Sequence, residues 1–170
     1  MNPSGIKIRI YGDSCLREKS VPVKDVGASE RILIKVMLET MREANGIGLA
    51  APQVGINQQI FVADIGEGPL AVFNPKILKR KGADFMEEGC LSCPGSVVNV
   101  KRAKTIVVRY CDENNKTVER TFSDLMARVF LHETDHLMGK LILDYAGRRQ
   151  QAAYHQQAQE NAGPSQSINL

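Results

Sequence analysis

Residues 131–140 read Leu-His-Glu-Thr-Asp-His-Leu-Met-Gly-Lys, and the H-E-x-x-H run inside them (His132, Glu133, His136) decides how the rest of the chain is read. Residues four apart on an α-helix share one face. Two imidazoles at that spacing can grip one metal ion, and Glu133 then falls beside any water bound to it. Ser123 can cap this helix, with Asp124 in its first turn, and Gly139 supplies the stop after about Met138. Leu125, Val129, Phe130 and Leu131 give it an apolar stripe. A helix with a buried side holds its histidines for a purpose more often than a free surface helix, where both would simply be solvated.

Working outward, residues 104–110 and 116–122 are β-rich and flank Asp112-Glu113-Asn114-Asn115, which predicts a β-hairpin. Apolar runs at 59–64 and 70–73, bounded by Gly and Pro, read as strands, and Leu141-Ile142-Leu143 reads as a third short one. Residues 28–45 have helical periodicity: Ile32, Val36 and Thr40 recur beside Leu33, Met37 and Met41, with Asn45-Gly46 as a stop. The polar, Gln-rich residues 148–160 predict one last helix, and 161–170 a loose tail. The expected fold class is α+β, with mainly antiparallel sheets packed around a central metal-binding helix and a C-terminal helix. The expected organisation is a single catalytic domain over 1–147, then a C-terminal helix and flexible tail over 148–170.

A chain of 170 residues suits one domain with a real core, and an apolar fraction of 43% with 24% charged residues is ordinary for a globular protein. The net charge of +3 argues neither for nor against nucleic acid. The clusters Lys79-Arg80-Lys81 and Lys101-Arg102 read as solvated faces, so no direct nucleic-acid recognition is expected. Strand-like sequence (Lys7-Ile8-Arg9-Ile10) starts almost at once, leaving no room for a signal peptide, and no apolar run could span a bilayer. A cytoplasmic protein without membrane attachment is the expectation, with Cys15, Cys90, Cys93 and Cys111 as thiols.

The third ligand separates the enzyme classes. The extended metalloprotease pattern H-E-x-x-H-x-x-G-x-x-H finds Gly139 in register but Ile142 where its last His belongs. A ligand from a later segment would have to be Glu160 or His155. Cys90 remains, within Glu87-Glu88-Gly89-Cys90-Leu91-Ser92-Cys93-Pro94. Its C-x-x-C pairing with Cys93 opens two rivals. One is a closed structural zinc site made of Cys90, Cys93, His132 and His136. The other is a thioredoxin-like redox pair, although that motif normally opens a helix and here Pro94-Gly95 follows. Glu133 favours an open catalytic site, because a closed one has no use for a carboxylate beside the metal.

Three segments together resemble the peptide deformylase family: Gly46-Ile47-Gly48-Leu49-Ala50-Ala51-Pro52-Gln53, Glu88-Gly89-Cys90-Leu91-Ser92, and His132-Glu133-Thr134-Asp135-His136. They match its three signatures in order and spacing. The similarity runs from about Ile8 to Asp144 and includes Gly12-Asp13-Ser14-Cys15-Leu16-Arg17. Relatives often carry Gln where this chain has Leu131, and an apolar residue where it has Cys93, which reads as a packed thiol.

The resemblance implies an α+β fold and a metal-dependent amide hydrolase that removes the formyl group from the N-terminal formylmethionine of newly synthesised polypeptides, releasing formate. It implies Cys90, His132 and His136 as ligands of one divalent ion, Fe(II) in working form, with zinc, nickel or cobalt able to take its place. Glu133 would act as general base and then general acid. The Gln53 side-chain amide and the Leu91 backbone N–H would face the developing oxyanion. Gly48 and Gly89 would let the substrate backbone approach closely, and Ile47, Leu125 and Val129 would line a pocket for the methionine side chain. Glu88 would be held by Arg102. The implied partners are N-formylmethionyl nascent peptides, with transient ribosome contact to which Arg148-Arg149 could contribute, in a bacterial-type cytoplasmic setting.

Overall fold

The computed structural model describes residues 6–162. Its main sheet has five antiparallel strands in the order β1 (Gly48–Ala50), β2 (Ile60–Ala63), β3 (Leu70–Lys81), β6 (Thr105–Cys111) and β7 (Thr117–Ser123). β4 (Asp84–Glu88) and β5 (Val98–Arg102) form a separate hairpin. Helices α1 (Ala28–Glu43) and α2 (Asp124–Leu137) cover opposite faces of the main sheet. The expected α+β class holds, with the histidine-bearing helix packed among antiparallel strands.

Strand β2 explains the layering. Side chains alternate across a strand. Ile60 and Val62 pack with Ile34, Met37 and Met41 of α1, whereas Phe61 and Ala63 pack with Ala127 and Phe130 of α2. A strand covered on both faces must be apolar at every position, and Ile-Phe-Val-Ala satisfies this. On the α2 side Phe61 meets Phe130 edge to face at 4.9 Å. In α1 the buried stripe is Ile34, Met37, Thr40 and Met41, while Ile32 points outward. The helix ends at Glu43, two residues before the expected stop at Asn45, whose φ of 54° lies in the left-handed region that Asn tolerates.

Strand β3 runs past the expected 70–73. Pro75 has no N–H for a ladder, so a strand should end there. Instead, the pairing with β6 shifts between Phe73 and Lys76 and again between Ile77 and Lys79, and the first irregularity absorbs the proline. Asn74, at φ 52°, turns its amide onto both backbone groups of Val23, at 2.8 and 2.7 Å. The expected hairpin forms between β6 and β7. The Asp112 carboxylate accepts the N–H groups of Asn114 and Lys116, each at 2.9 Å, and Asn115 clasps Val26 at 2.8 and 3.2 Å.

Three local expectations are corrected. Leu141-Ile142-Leu143 is no strand. All three side chains are buried, and Ile142–Tyr145 is a 3-10 turn. Asp144 decides this, because its carboxylate accepts the Leu141 N–H at 3.0 Å and pairs with Arg17 at 2.7 Å. Ser123 sits at the N-cap of α2 without capping it; its hydroxyl pairs with Thr105 across the β6–β7 ladder instead. Arg102 is buried rather than solvated, whereas Lys101 and the Lys79–Lys81 cluster are exposed.

A last helix, α3 (Arg148–Ala162), slightly outruns the expected 148–160. Tyr154 donates to the Pro94 carbonyl at 3.2 Å and Gln150 to that of Val97 at 2.8 Å, so α3 lies against the β4–β5 loop. From residue 163 on, the expected tail lies outside the described residues. Among the described residues no helix is long and apolar enough to cross a membrane.

Candidate metal centre

α2 carries His132, Glu133 and His136 in its C-terminal half, and the loop joining β4 to β5 brings Cys90 against them. Cys90 Sγ lies 3.3 Å from His136 Nε2, which lies 3.2 Å from His132 Nε2. All three donor atoms fall within 4.8 Å of one another. A tetrahedral ion with bonds of ~2.05 Å to nitrogen and ~2.3 Å to sulfur would space its ligands about 3.3–3.6 Å apart. The donor set therefore already stands at ligand spacing, and one soft thiolate with two imidazoles suits a divalent transition metal. The rival ligand sets do not assemble. Cys93 is not in the group. His155 bonds Gln159 and faces Tyr11, and Glu160 pairs with Gln156.

A buried carboxylate sets the first imidazole. Glu88, the last residue of β4, takes the His132 Nδ1 at 3.0 Å, which leaves Nε2 facing the site. Two arginines hold Glu88 in turn: Arg102 in a fork at 2.6 and 2.9 Å, and Arg128 at 2.6 Å. Arg102 also reaches Asp135 at 2.8 Å, and Tyr145 donates to the same oxygen at 2.8 Å. Burial pushes the Glu88 carboxyl up, but His132 and Arg102 outweigh it and bring it down to about 2. Burial pushes His132 down, but Cys90 and Glu88 outweigh it and raise the imidazole to about 10. The neighbouring Cys93 thiol first, then His136, hold Cys90 well below the usual thiol range against its burial.

Cys90, His132 and Glu133 line a cavity of about 480 Å³ whose wall includes Ile47, Gly48, Gly89, Leu91, Leu125 and Val129. Ile47 and Leu125 stand half-exposed at its mouth, and Val129 is buried. Gln53 turns inward from the turn after β1. Its Oε1 accepts the Ala50 N–H at 2.8 Å, and its Nε2 reaches Ser92 Oγ at 3.1 Å and Cys90 Sγ at 3.7 Å. Glu133 is almost fully buried, and its Oε2 finds no hydrogen-bond partner among the described residues. Burial raises its carboxyl above the ordinary range, with His132 and His136 pulling the other way. A carboxylate left without a partner in such a place is equipped to take and return a proton.

The sequence of the polypeptide deformylase family matches residues 6–152 of this chain. The chain belongs to that family. It is 48% identical over 137 residues to the peptide deformylase of Clostridium botulinum (strain Alaska E43 / Type E3), covering 81% of this chain and 93% of that one. Among solved structures it is similar to the peptide deformylase from Thermotoga maritima, with a TM-score of 0.82 at 45% identity over 84% of this chain and 97% of that one. It is also similar to that from Legionella pneumophila, with a TM-score of 0.87 at 34% identity over 92% and 95%. This peptide deformylase is a metal-dependent hydrolase that removes the formyl group from the N-terminal formylmethionine of new polypeptides.

Within this deformylase the two glycines expected to face the substrate differ. A Cβ on Gly89 would meet nothing nearer than 3.9 Å, whereas one on Gly48 would collide with the Glu133 carboxylate and stand 3.0 Å from Val129. Gly48→Ala is therefore expected to push Glu133 aside and lower kcat at least tenfold while the metal stays bound. Steady-state kinetics with metal analysis checks this, and unchanged kcat would contradict it. Sequence reasoning missed Arg128, Asp135, Tyr145 and Ser92. Arg128 did leave a signal: an arginine inside the apolar run Met126-Ala127-Arg128-Val129-Phe130 must find a buried partner.

Proposed function

We propose that Cys90, His132 and His136 hold one divalent ion, Fe(II) in the working enzyme, and that Glu133 moves the protons of deformylation. The supporting observation is the buried, unpartnered Glu133 oxygen beside a two-histidine, one-cysteine donor set in an open cleft. When bound, the ion supplies a Lewis acid that lowers the pKa of water and polarises the formyl carbonyl. Glu133 accepts the proton of the attacking water and delivers it to the leaving nitrogen, which frees the amino terminus and formate. Gln53 Nε2 and the Leu91 N–H donate to the oxyanion as it develops; one such donor is typically worth about 3 kcal/mol. Ile47, Leu125 and Val129 receive the methionine side chain, with Gly48 and Gly89 beside the peptide backbone.

The substrate is a formylmethionyl nascent chain, and release of formate from a formyl-Met-Ala-Ser peptide, with the acetylated peptide as control, is the direct test. Equal turnover of both peptides would overturn the reading. The iron assignment has its own test. A thiolate-bound Fe(II) is open to oxidation in air, so the iron enzyme should lose activity within hours while the nickel form keeps it. An air-stable iron enzyme would refute this.

The site's work is assigned to residues 1–147, with 148–170 as an appended helix and tail. We place the protein in the cytoplasm, where nascent chains emerge. Arg148 and Arg149 are exposed at the start of α3 and are offered as a ribosome contact. A chain ending at Gly147 tests both readings: formate release should persist and co-sedimentation with ribosomes should fall. The opposite result on either count rejects that reading.

A further inference from the structure

The C-x-x-C of the β4–β5 loop has more in it than one metal ligand. Cys93 N–H donates to the Cys90 carbonyl at 2.9 Å, closing a β-turn whose first and last residues are the two cysteines. Such a turn holds its end Cα atoms within ~7 Å, and disulfides span ~4.4–6.8 Å. The turn therefore sets the two cysteines within disulfide reach of each other. Their access differs. Both line the cleft, but Cys90 is half-buried there, while Cys93 has no exposed surface and packs among Leu16, Val98, Val100 and Ile142. α3 closes the loop from outside through Tyr154 and Gln150. An oxidant entering the cleft meets Cys90 first, and Cys93 stands behind it.

We propose that Cys93 is a resolving thiol, which captures Cys90 as a Cys90–Cys93 disulfide when a hydroperoxide oxidises it. In the first step the Cys90 thiolate takes the terminal hydroxyl of the hydroperoxide. The S–O bond forms, the O–O bond breaks, and the alkoxide leaves and takes a proton from water. Cys90 has then lost two electrons and is a sulfenic acid. In the second step the Cys93 sulfur attacks the Cys90 sulfur. The S–S bond forms, the S–O bond breaks, and hydroxide leaves with the Cys93 proton as water. A disulfide sulfur is no thiolate ligand, so the ion is released. Without Cys93 the sulfenic acid would go on to sulfinic and sulfonic acids, which thiols do not reduce. The disulfide traps the sulfur at a stage that a dithiol can reverse. Cys15 and Cys111 lack such a neighbour: Cys15 faces the Pro52 carbonyl at 3.6 Å and Cys111 that of Asp112 at 3.5 Å.

Loss of the ion rests on the reading of Cys90 as a ligand, whereas disulfide formation does not, and the experiment separates them. Metal-free wild type is treated with a severalfold molar excess of hydrogen peroxide, alkylated, digested and mapped by mass. The expected product is a Cys90–Cys93 linkage, two hydrogens lighter, that dithiothreitol abolishes. In Cys93→Ala, Cys90 should gain two or three oxygens and resist dithiothreitol. In parallel, metal-loaded wild type should release its ion on oxidation and regain full formate release after dithiothreitol and fresh metal, while oxidised Cys93→Ala regains none. Oxygen addition at Cys90 in wild type without the linkage would overturn the proposal whether or not the variant folds. Linkage without metal release would instead overturn Cys90 as a ligand.

Discussion

Replacing Glu133 with alanine is expected to slow formate release by about 10²–10⁴-fold, the range over which a positioned proton-transfer group contributes. The metal and the fold should both survive. Glu133 is not among the three converging donor atoms, and its Oε2 supports no other residue, so little else is lost with it. Metal analysis and thermal unfolding should therefore match wild type while kcat collapses. Glu133→Gln, which keeps the shape but cannot accept a proton, should fall nearly as far. If either variant retained more than a tenth of wild-type turnover, another group would have to carry the proton.

Cys90→Ala should fail in the opposite order, losing the metal first and the activity with it. Removing a mere supporting partner of a ligand costs about 10–100-fold in metal affinity, and removing the ligand itself should cost more. His132 and His136 would remain aligned, because Glu88 fixes the first and α2 carries both. The variant should thus be folded, with a weakened two-imidazole site. Added metal stabilises whatever binds it in proportion to occupancy. A titration of melting temperature against added ion should accordingly show a rise for wild type that is absent in Cys90→Ala. Stoichiometric, tight metal in Cys90→Ala would remove the cysteine from the ligand set.

Much of this was legible in the residues. The i, i+4 histidines fix their own geometry once the helix is granted, and the apolar run at 59–64 marked a strand, though not that both its faces are covered. The third ligand was harder, because 42 positions separate Cys90 from His132 and no local pattern joins them; elimination and the family resemblance did. Local reading failed where a side chain from elsewhere outbid propensity. Asp144 bent the Leu141 run into a turn, Thr105 took the Ser123 hydroxyl, and a bulge let β3 run through Pro75. By charge pattern alone Arg102 looked like a surface cation, and only the family resemblance paired it with Glu88, as the structure does. The Gly46–Gln53 segment was readable as a motif, but only the folded chain reveals that Gly48 is small to make room for Glu133.

The twin-arginine grip on Glu88 leaves the surroundings of the centre electrically balanced. Arg102 and Arg128 are matched by Glu88 and Asp135. A dication would likewise be matched by the Cys90 thiolate and the Glu133 carboxylate. A neutral formamide thus enters a chamber whose charges sum to zero, so it is local donors and the ion, not a net charge, that act on it. Any single substitution that deletes Glu88, Arg102 or Arg128 would leave behind a monopole in a medium that screens it poorly.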